Sequence, residues 1–222
     1  MISVIITAGG TGKRMGSKRP KQFLLLNEKP VLMHTIEQMY KFDPHAEIIL
    51  TLPENHIENW KMLCSEHRFT IPHLIVVGGE ERFHSVKNAL QRAKGDYIAI
   101  HDGVRPFVSE QVFYALIETV KTKFAVVPVV PILESIRKVA HGSNEAVNRA
   151  EYVVVQTPQI FERNLILQAY SREYSPLFTD DASVVEAMGE NIHLITGNKE
   201  NIKITQPSDL EYAVLLSKQI SC

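Results

Sequence analysis

Ile2-Ser3-Val4-Ile5-Ile6-Thr7-Ala8-Gly9-Gly10-Thr11-Gly12-Lys13-Arg14-Met15-Gly16 is the stretch on which the reading of this chain turns. Residues 2–7 form a short β-branched run ending at Gly9-Gly10, the pattern of a buried strand feeding a glycine loop. Beyond it, Val31-Leu32, Ile36 and Met39-Tyr40 recur at helical spacing, and a second apolar run follows at 48–52. The unit then repeats: the spacing predicts helices over 57–64, 86–93 and 112–120 and strands over 74–77, 97–100 and 124–127. These strand runs are continuously apolar rather than alternating, as in parallel strands covered by helices on both faces. The expectation is an α/β protein with a single open, mostly parallel Rossmann-like sheet, residues 1–222 forming one domain.

The pattern breaks after Pro128. Pro131, Gly142 and the polar Ser143-Asn144-Glu145 lie between two extended segments, 135–139 and 152–155, which predicts a protruding β-hairpin arm at about 132–155. Two strands alone are marginal in water and need another surface to cover them, so a homodimer built on this arm is expected. Regular order returns with a helix over 164–172, another opening at Thr179-Asp180-Asp181, strands at 192–195 and 202–205, and a last helix from Pro207 or Ser208. Asp180 and Asp181, at a helix start, read as caps rather than as a paired-carboxylate site.

Composition narrows the classes. At 222 residues with 45% hydrophobic and 22% charged, the chain can bury a large core. Lys plus Arg number 24 against 25 Asp plus Glu, so nothing in the charge balance calls for nucleic acid or an anionic membrane as partner. The apolar run at 125–133 is far short of a membrane span, and the start of the chain lacks the form of a signal peptide. Cys64 and Cys222 fit no metal or redox spacing, which favours a reducing compartment and makes the cytoplasm the default. The nine histidines include no His-Glu-x-x-His spacing, so they read as surface or core residues, and no Gly-x-Ser-x-Gly elbow supports acyl transfer.

The glycine loop follows a strand at the carboxyl edge of the expected sheet, where such folds bind ligands. Its glycines let backbone N–H groups approach phosphate oxygens, and Lys13, Arg14, Lys18, Arg19 and Lys21 add cations. This makes an anion cradle, although neither standard motif is present. Met15 stands where a dinucleotide fingerprint needs glycine, and Thr7 and Arg14 stand where a P-loop needs glycine and a hydroxyl.

Ala8-Gly9-Gly10-Thr11-Gly12-Lys13-Arg14-Met15 with Pro20-Lys21-Gln22-Phe23 resembles the signature loop of the sugar-phosphate nucleotidylyltransferases, and more narrowly the 2-C-methyl-D-erythritol 4-phosphate cytidylyltransferase family of the non-mevalonate isoprenoid pathway. The resemblance continues through Gly78-Gly79-Glu80-Glu81-Arg82 and Ser85, His101-Asp102-Gly103-Val104-Arg105-Pro106, Gln156-Thr157-Pro158-Gln159, Thr179-Asp180-Asp181-Ala182-Ser183 and Asn201-Ile202-Lys203-Ile204-Thr205. Each motif is weak singly; in one order over nearly the whole chain they are specific.

The resemblance implies attack of a sugar phosphate on the α-phosphorus of CTP with loss of pyrophosphate, a reaction between polyanions that depends on positioning, preorganised cations and a metal. Arg14 and Lys21 would flank the α-phosphate, and Lys203 would join them in catalysis. Ala8, Gly9, Gly10, Gly12, Lys13, Gly79, Glu80 and Ser85 would hold the nucleotide. Glu80 stands one methylene longer than the family's aspartate and, with Glu81, also suits the start of a following helix. Asp102 would orient substrate or reach Mg²⁺ through water, though with Arg105 it equally reads as a structural ion pair. Arg149 and Lys203 would meet the acceptor's phosphate, with Thr157 and Thr179 nearby. Ser135 stands in the arm where the family carries threonine, and Gly103 where alanine is commoner.

Two other readings stay open. A ribitol 5-phosphate cytidylyltransferase would use the same chemistry; the four residues between Met15 and Pro20 and the 179–183 motif favour the methylerythritol pattern. A non-catalytic nucleotide-binding protein would be signalled by loss of Arg14, Lys21 or Lys203, and all three are present.

Overall fold

The computed structural model describes residues 1–10, 19–140 and 142–220. Its elements run β1 (Ile2–Thr7), β2 (Leu25–Leu26), β3 (Lys29–Pro30), α1 (Val31–Phe42), β4 (Glu47–Leu52), α2 (Glu54–Glu66), β5 (Leu74–Val77), α3 (Arg82–Leu90), β6 (Tyr97–Asp102), α4 (Glu110–Lys123) and β7 (Ala125–Pro131). There follow β8 (Arg137–Ala140), β9 (Ser143–Ala146), β10 (Val153–Val155), β11 (Gln159–Glu162), α5 (Arg163–Ala169), α6 (Asp181–Glu186), β12 (His193–Thr196) and α7 (Pro207–Ile220). Among the described residues, eight strands form one sheet in the order β10-β7-β11-β6-β1-β4-β5, with β12 also paired to β7. β1 lies parallel between β4 and β6, β4 is parallel to β5, and β12 to β7, whereas β10 and β11 run antiparallel to their neighbours.

The unbroken apolar run of β1 follows from having both faces covered. Val4 and Ile6 point into one core with Ile36, Leu50, Trp60 and Phe113, on the side of α1, α2 and α4. Ile5 points into the other with Ile49, Val86, Ile100, Phe161 and Val185, on the side of α3, α5 and α6. The period of two along a strand thus divides one apolar run between two cores.

Helix starts carry their own caps. Ser109 Oγ accepts the Val112 N–H at the head of α4, and Asp180 caps α6 with Ser183 in a reciprocal box. Glu81 caps α3, so that helix begins at Arg82, four residues before its first predicted turn.

Three sequence expectations are corrected. Residues 202–205 are not a strand: Ile204 donates one backbone bond, to the Val104 carbonyl at 3.0 Å, and its side chain joins a small cluster with Leu26, Val31, Val104 and Ala213. The arm is not a pairing of 135–139 with 152–155. Its ribbon is β8 with β9, while β10 adds to the main sheet beside β7, because β7 extends through Pro128 to Pro131. A proline lacks the N–H but keeps its acceptor; the Pro128 carbonyl takes the Gln156 N–H at 2.8 Å. Finally, β11 enters antiparallel between β6 and β7, a strand that the apolar spacing did not announce.

Candidate active site

Register brings the site together. Thr7 and Asp102, the last residues of β1 and β6, are paired, and Thr7 also faces Thr51 in β4. Backbone bonds carry the alignment past the strand ends: Ala8 N–H donates to the Thr51 carbonyl at 3.1 Å, Gly103 N–H to Thr7 at 2.9 Å and Gly78 N–H to Leu52 at 2.7 Å. The loops after β1, β5 and β6 therefore meet at the carboxyl edge, the binding edge of open parallel sheets.

There they enclose a cleft of about 310 Å³ lined by Ala8, Gly9, Gly10, Lys21, Gly79, Glu80, Ser85, Asp102 and Lys203, with Gln22 and Arg82. Lys21 starts a 3-10 turn, Lys21–Phe23, whose next two residues are buried. Gln22 Nε2 donates to the Ala8 carbonyl at 2.7 Å, and Phe23 stacks on Trp60. A Cβ on Gly10 would lie 3.2 Å from Lys21 Cε, so the glycine lets the lysine cross close to the loop. Gly79 is required more strictly: a Cβ there would come within 2.3 Å of His84 Cβ. Ser85 Oγ accepts the Gly79 N–H at 3.0 Å and donates to the Glu81 carbonyl at 3.2 Å, which holds the 79–81 turn against α3.

A second cleft of about 250 Å³ adjoins the first and shares Arg82, Asp102 and Lys203 with it. It adds Arg105, Val155, Gln156, Thr157, Thr179 and Asp180. Asp102, at the junction, faces Lys203 Nζ at 2.9 Å, Arg105 Nε at 3.2 Å and Arg82 Nε at 3.7 Å. Burial opposes its ionisation, but Arg82, Lys203 and Arg105 outweigh that and hold the carboxyl well below the usual carboxylate range. Asp102 and Arg105 thus form the ion pair their spacing allowed, inside a larger cationic cluster.

Sequence reasoning gave Arg82 no role, and placed Asp181 among the caps. Asp180 is the cap; Asp181 is fully buried and takes Arg82 on both oxygens, at 2.8 and 2.6 Å, and the Tyr170 hydroxyl at 2.6 Å. His101, one of the nine histidines that read together as surface or core residues, is buried with both ring nitrogens engaged, with Arg105 and Thr157. Buried Gln156 and Asn201 stand in the resembling motifs but carried no role there. Gln156 Nε2 donates to the carbonyls of Asn198 and Asn201, and Asn201 Nδ2 to the Thr157 carbonyl. The legible signal was proximity to Thr157 and Lys203; polar side chains buried beside charges are there for their hydrogen bonds.

Ser135 and Arg149 line neither cleft. Both are exposed, and Arg149 bonds through Nη1 to the Leu133 carbonyl at the base of the arm. Gly12, Lys13 and Arg14 lie outside the described residues.

An open, mostly parallel sheet with a glycine-lined, cationic double cleft at its carboxyl edge defines an α/β protein of the phosphate- and nucleotide-binding class. The chain belongs to the 2-C-methyl-D-erythritol 4-phosphate cytidylyltransferase (IspD) family, whose model matches residues 2–218. It is 54% identical to the enzyme of that name from Bacteroides thetaiotaomicron, over 94% of this chain and 96% of that one. Among solved structures it resembles the Thermus thermophilus 2-C-methyl-D-erythritol 4-phosphate cytidylyltransferase, with TM-score 0.78 and 29% identity over 97% and 98% of the two chains. It also resembles the bifunctional IspDF of Campylobacter jejuni, with TM-score 0.81 and 28% identity over 95% of this chain, and spans 53% of that longer protein.

Proposed function

We propose that this chain transfers the cytidylyl group of CTP to 2-C-methyl-D-erythritol 4-phosphate, releasing pyrophosphate and forming CDP-methylerythritol for isoprenoid precursor synthesis. The observation that carries the reading is the pair of clefts meeting at Arg82, Asp102 and Lys203 in a chain of this family. The larger, lined by glycine backbone, suits the nucleotide; the smaller, lined by Arg105, Thr157 and Thr179, suits the polyol phosphate. An acceptor phosphate oxygen forms a bond to the α-phosphorus, and the bond from that phosphorus to the β-phosphate's bridging oxygen breaks. Negative charge gathers on the equatorial and leaving oxygens, where Lys21, Arg14 and Lys203 act as fixed cations. Ala8, Gly9, Gly10, Gly12, Lys13, Gly79, Glu80 and Ser85 hold the nucleotide in this reading.

Mg²⁺ accompanies the nucleotide. Among the described residues no three His, Cys, Asp or Glu side chains gather to hold a metal, and the Asp102 carboxylate already faces three cations. Such an ion would be held chiefly by the CTP phosphates, and Asp102 is the carboxylate that would approach it through water. When bound, the ion offsets phosphate charge.

Arg149 and Ser135 contribute from the second subunit of a homodimer, the arm at about 132–155 reaching across. Support for this is exposed apolar surface: Val139 in the ribbon is 76% exposed, and Tyr152, Val153 and Val154 at the β10 edge of the main sheet are exposed with it. No helix among the described residues is long and apolar enough to cross a membrane; the cytoplasm, where CTP is at hand, is the proposed location.

Pyrophosphate release with CTP and each acceptor tests the reading. Methylerythritol 4-phosphate is expected to exceed ribitol 5-phosphate in kcat/KM, since a site built for one polyol leaves polar groups unpaired with another. The reverse ratio assigns the ribitol reaction, and CTP binding without turnover assigns a non-catalytic role.

A further inference from the structure

Four residues at the junction of the clefts close a circuit of hydrogen bonds. His101 Nε2 meets the Arg105 carbonyl at 2.9 Å, Arg105 Nη1 the Asn201 carbonyl at 2.8 Å, Asn201 Nδ2 the Thr157 carbonyl at 2.8 Å, and Thr157 Oγ1 returns to His101 Nδ1 at 3.1 Å. His101 and Asn201 are fully buried, and Thr157 is 5% exposed. The circuit frames the site's charges. Thr157 Oγ1 accepts the Asp102 N–H at 3.0 Å, Arg105 Nε reaches the Asp102 carboxylate, and Lys203 lies two residues beyond Asn201.

The direction of each bond is fixed by chemistry. A carbonyl accepts but cannot donate, so the proton on the His101 ring must sit on Nε2, facing Arg105. Nδ1 of that neutral ring is then an acceptor, and the bond across to Thr157 takes the hydroxyl's single hydrogen. The other tautomer would set a bare Nε2 against the Arg105 carbonyl, lone pair to lone pair. Full burial of the ring favours its neutral form. With its hydrogen committed and one lone pair taken by Asp102 N–H, Thr157 has no donor left, and a phosphate offers acceptors.

We propose that His101 is a positioning residue for the transfer: it takes up the hydroxyl hydrogen of Thr157, so that Thr157 holds the frame of Asp102, Arg105 and Lys203 instead of donating to the acceptor's phosphate. The proposal rests on the cytidylyl-transfer reading and adds to it a residue and a changed role for Thr157. A geometry set through neighbours acts on the reacting arrangement more than on nucleotide affinity, and displacements of about 1 Å can cost about a hundredfold in rate.

Two measurements test it. Nitrogen-15 chemical shifts of the histidine rings in the ligand-free wild type, with the His101 signal assigned by its loss in His101→Phe, read the tautomer without any turnover. A neutral ring protonated on Nε2 is expected; an Nδ1–H tautomer or a charged ring at neutral pH overturns the proposal, whether or not the chain proves to be a cytidylyltransferase. Steady-state kinetics with CTP and methylerythritol 4-phosphate then separate the roles of Thr157. Thr157→Val and His101→Phe are each expected to lower kcat about ten- to a hundredfold with the KM for CTP little changed. Thr157→Ser, which keeps the hydroxyl, should recover most of kcat, and the double variant should be no slower than the worse single one. If Thr157→Val instead raises the KM for the sugar phosphate about tenfold at normal kcat, while His101→Phe leaves it alone, the hydroxyl donates to phosphate and the proposal fails. Melting temperatures identify any variant too unstable to interpret, and the tautomer measurement on the wild type then decides.

Discussion

Lys21 owes its place to its neighbours. Gln22 ties the turn to the end of β1 through Ala8, and Phe23 is packed on Trp60, and both anchors remain when the lysine side chain is removed. Lys21→Ala should therefore melt close to the wild type yet lose turnover by about a hundred- to a thousandfold, the usual cost of one preorganised charge. Paired melting and pyrophosphate-release assays check both halves. His101 makes a prediction of the opposite kind, on stability. Burial lowers its pKa from 6.5 to about 4, so between those values the unfolded chain binds a proton that the folded chain refuses. Stability then rises with pH through that window and is lost on acidification, by on the order of 3 kcal/mol at its lower end. Urea unfolding at neutral pH and about pH 5 should show a steeper loss in the wild type than in His101→Phe, where nothing titrates at that position.

At the scale of elements, two helix starts are tied to each other. Arg82 is the first residue of α3 and Asp181 the first of α6, and their bidentate pair, with the Tyr170 hydroxyl, joins the helices behind the cleft. Removing the carboxylate would leave the guanidinium, whose side chain is 31% exposed, with only its longer contact to Asp102, and would strand a buried hydroxyl. Asp181→Ala should cost about 3 kcal/mol, the lower end for breaking a buried pair, read as a lower urea midpoint at unchanged slope. The cap next to it was legible in the sequence, because Asp180 and Ser183 sit at capping-box spacing. The pair was not, because its two members are 99 residues apart. β11 was obscure for a related reason: a run of four residues carries too little periodicity, and its antiparallel insertion, like the pairing of β10 with β7, depends on neighbours elsewhere in the chain.

For the whole molecule, the sharing of sites is the open quantity. Arg149 lies outside the clefts of its own chain, and its bond to Leu133 holds the arm's two stems together. Mixing inactive Lys21→Ala with inactive Arg149→Ala subunits should restore about a quarter of wild-type activity. Half the dimers are then mixed, and each holds one site with both defects and one with neither. Absence of recovery after demonstrated subunit exchange would return Arg149 to its own chain's site.

The sequence by itself determined the class of sheet, through apolar runs long enough to need cover on both faces, and the chemistry, through motifs whose residues are contiguous. The glycine loop was identifiable from its local composition, and Gly79-Glu80, Asp102 and Lys203 through the resemblance of their contiguous motifs to those of the family. Tertiary structure decided how these segments combine. That Thr7 pairs with Asp102, that Lys203 reaches Asp102 without belonging to a strand, and that the Thr157 hydroxyl meets the His101 ring are facts of register and packing. No local pattern encodes them, because a hydrogen bond between residues 56 positions apart leaves no periodicity in the sequence, and its direction is set by the carbonyl of a third residue.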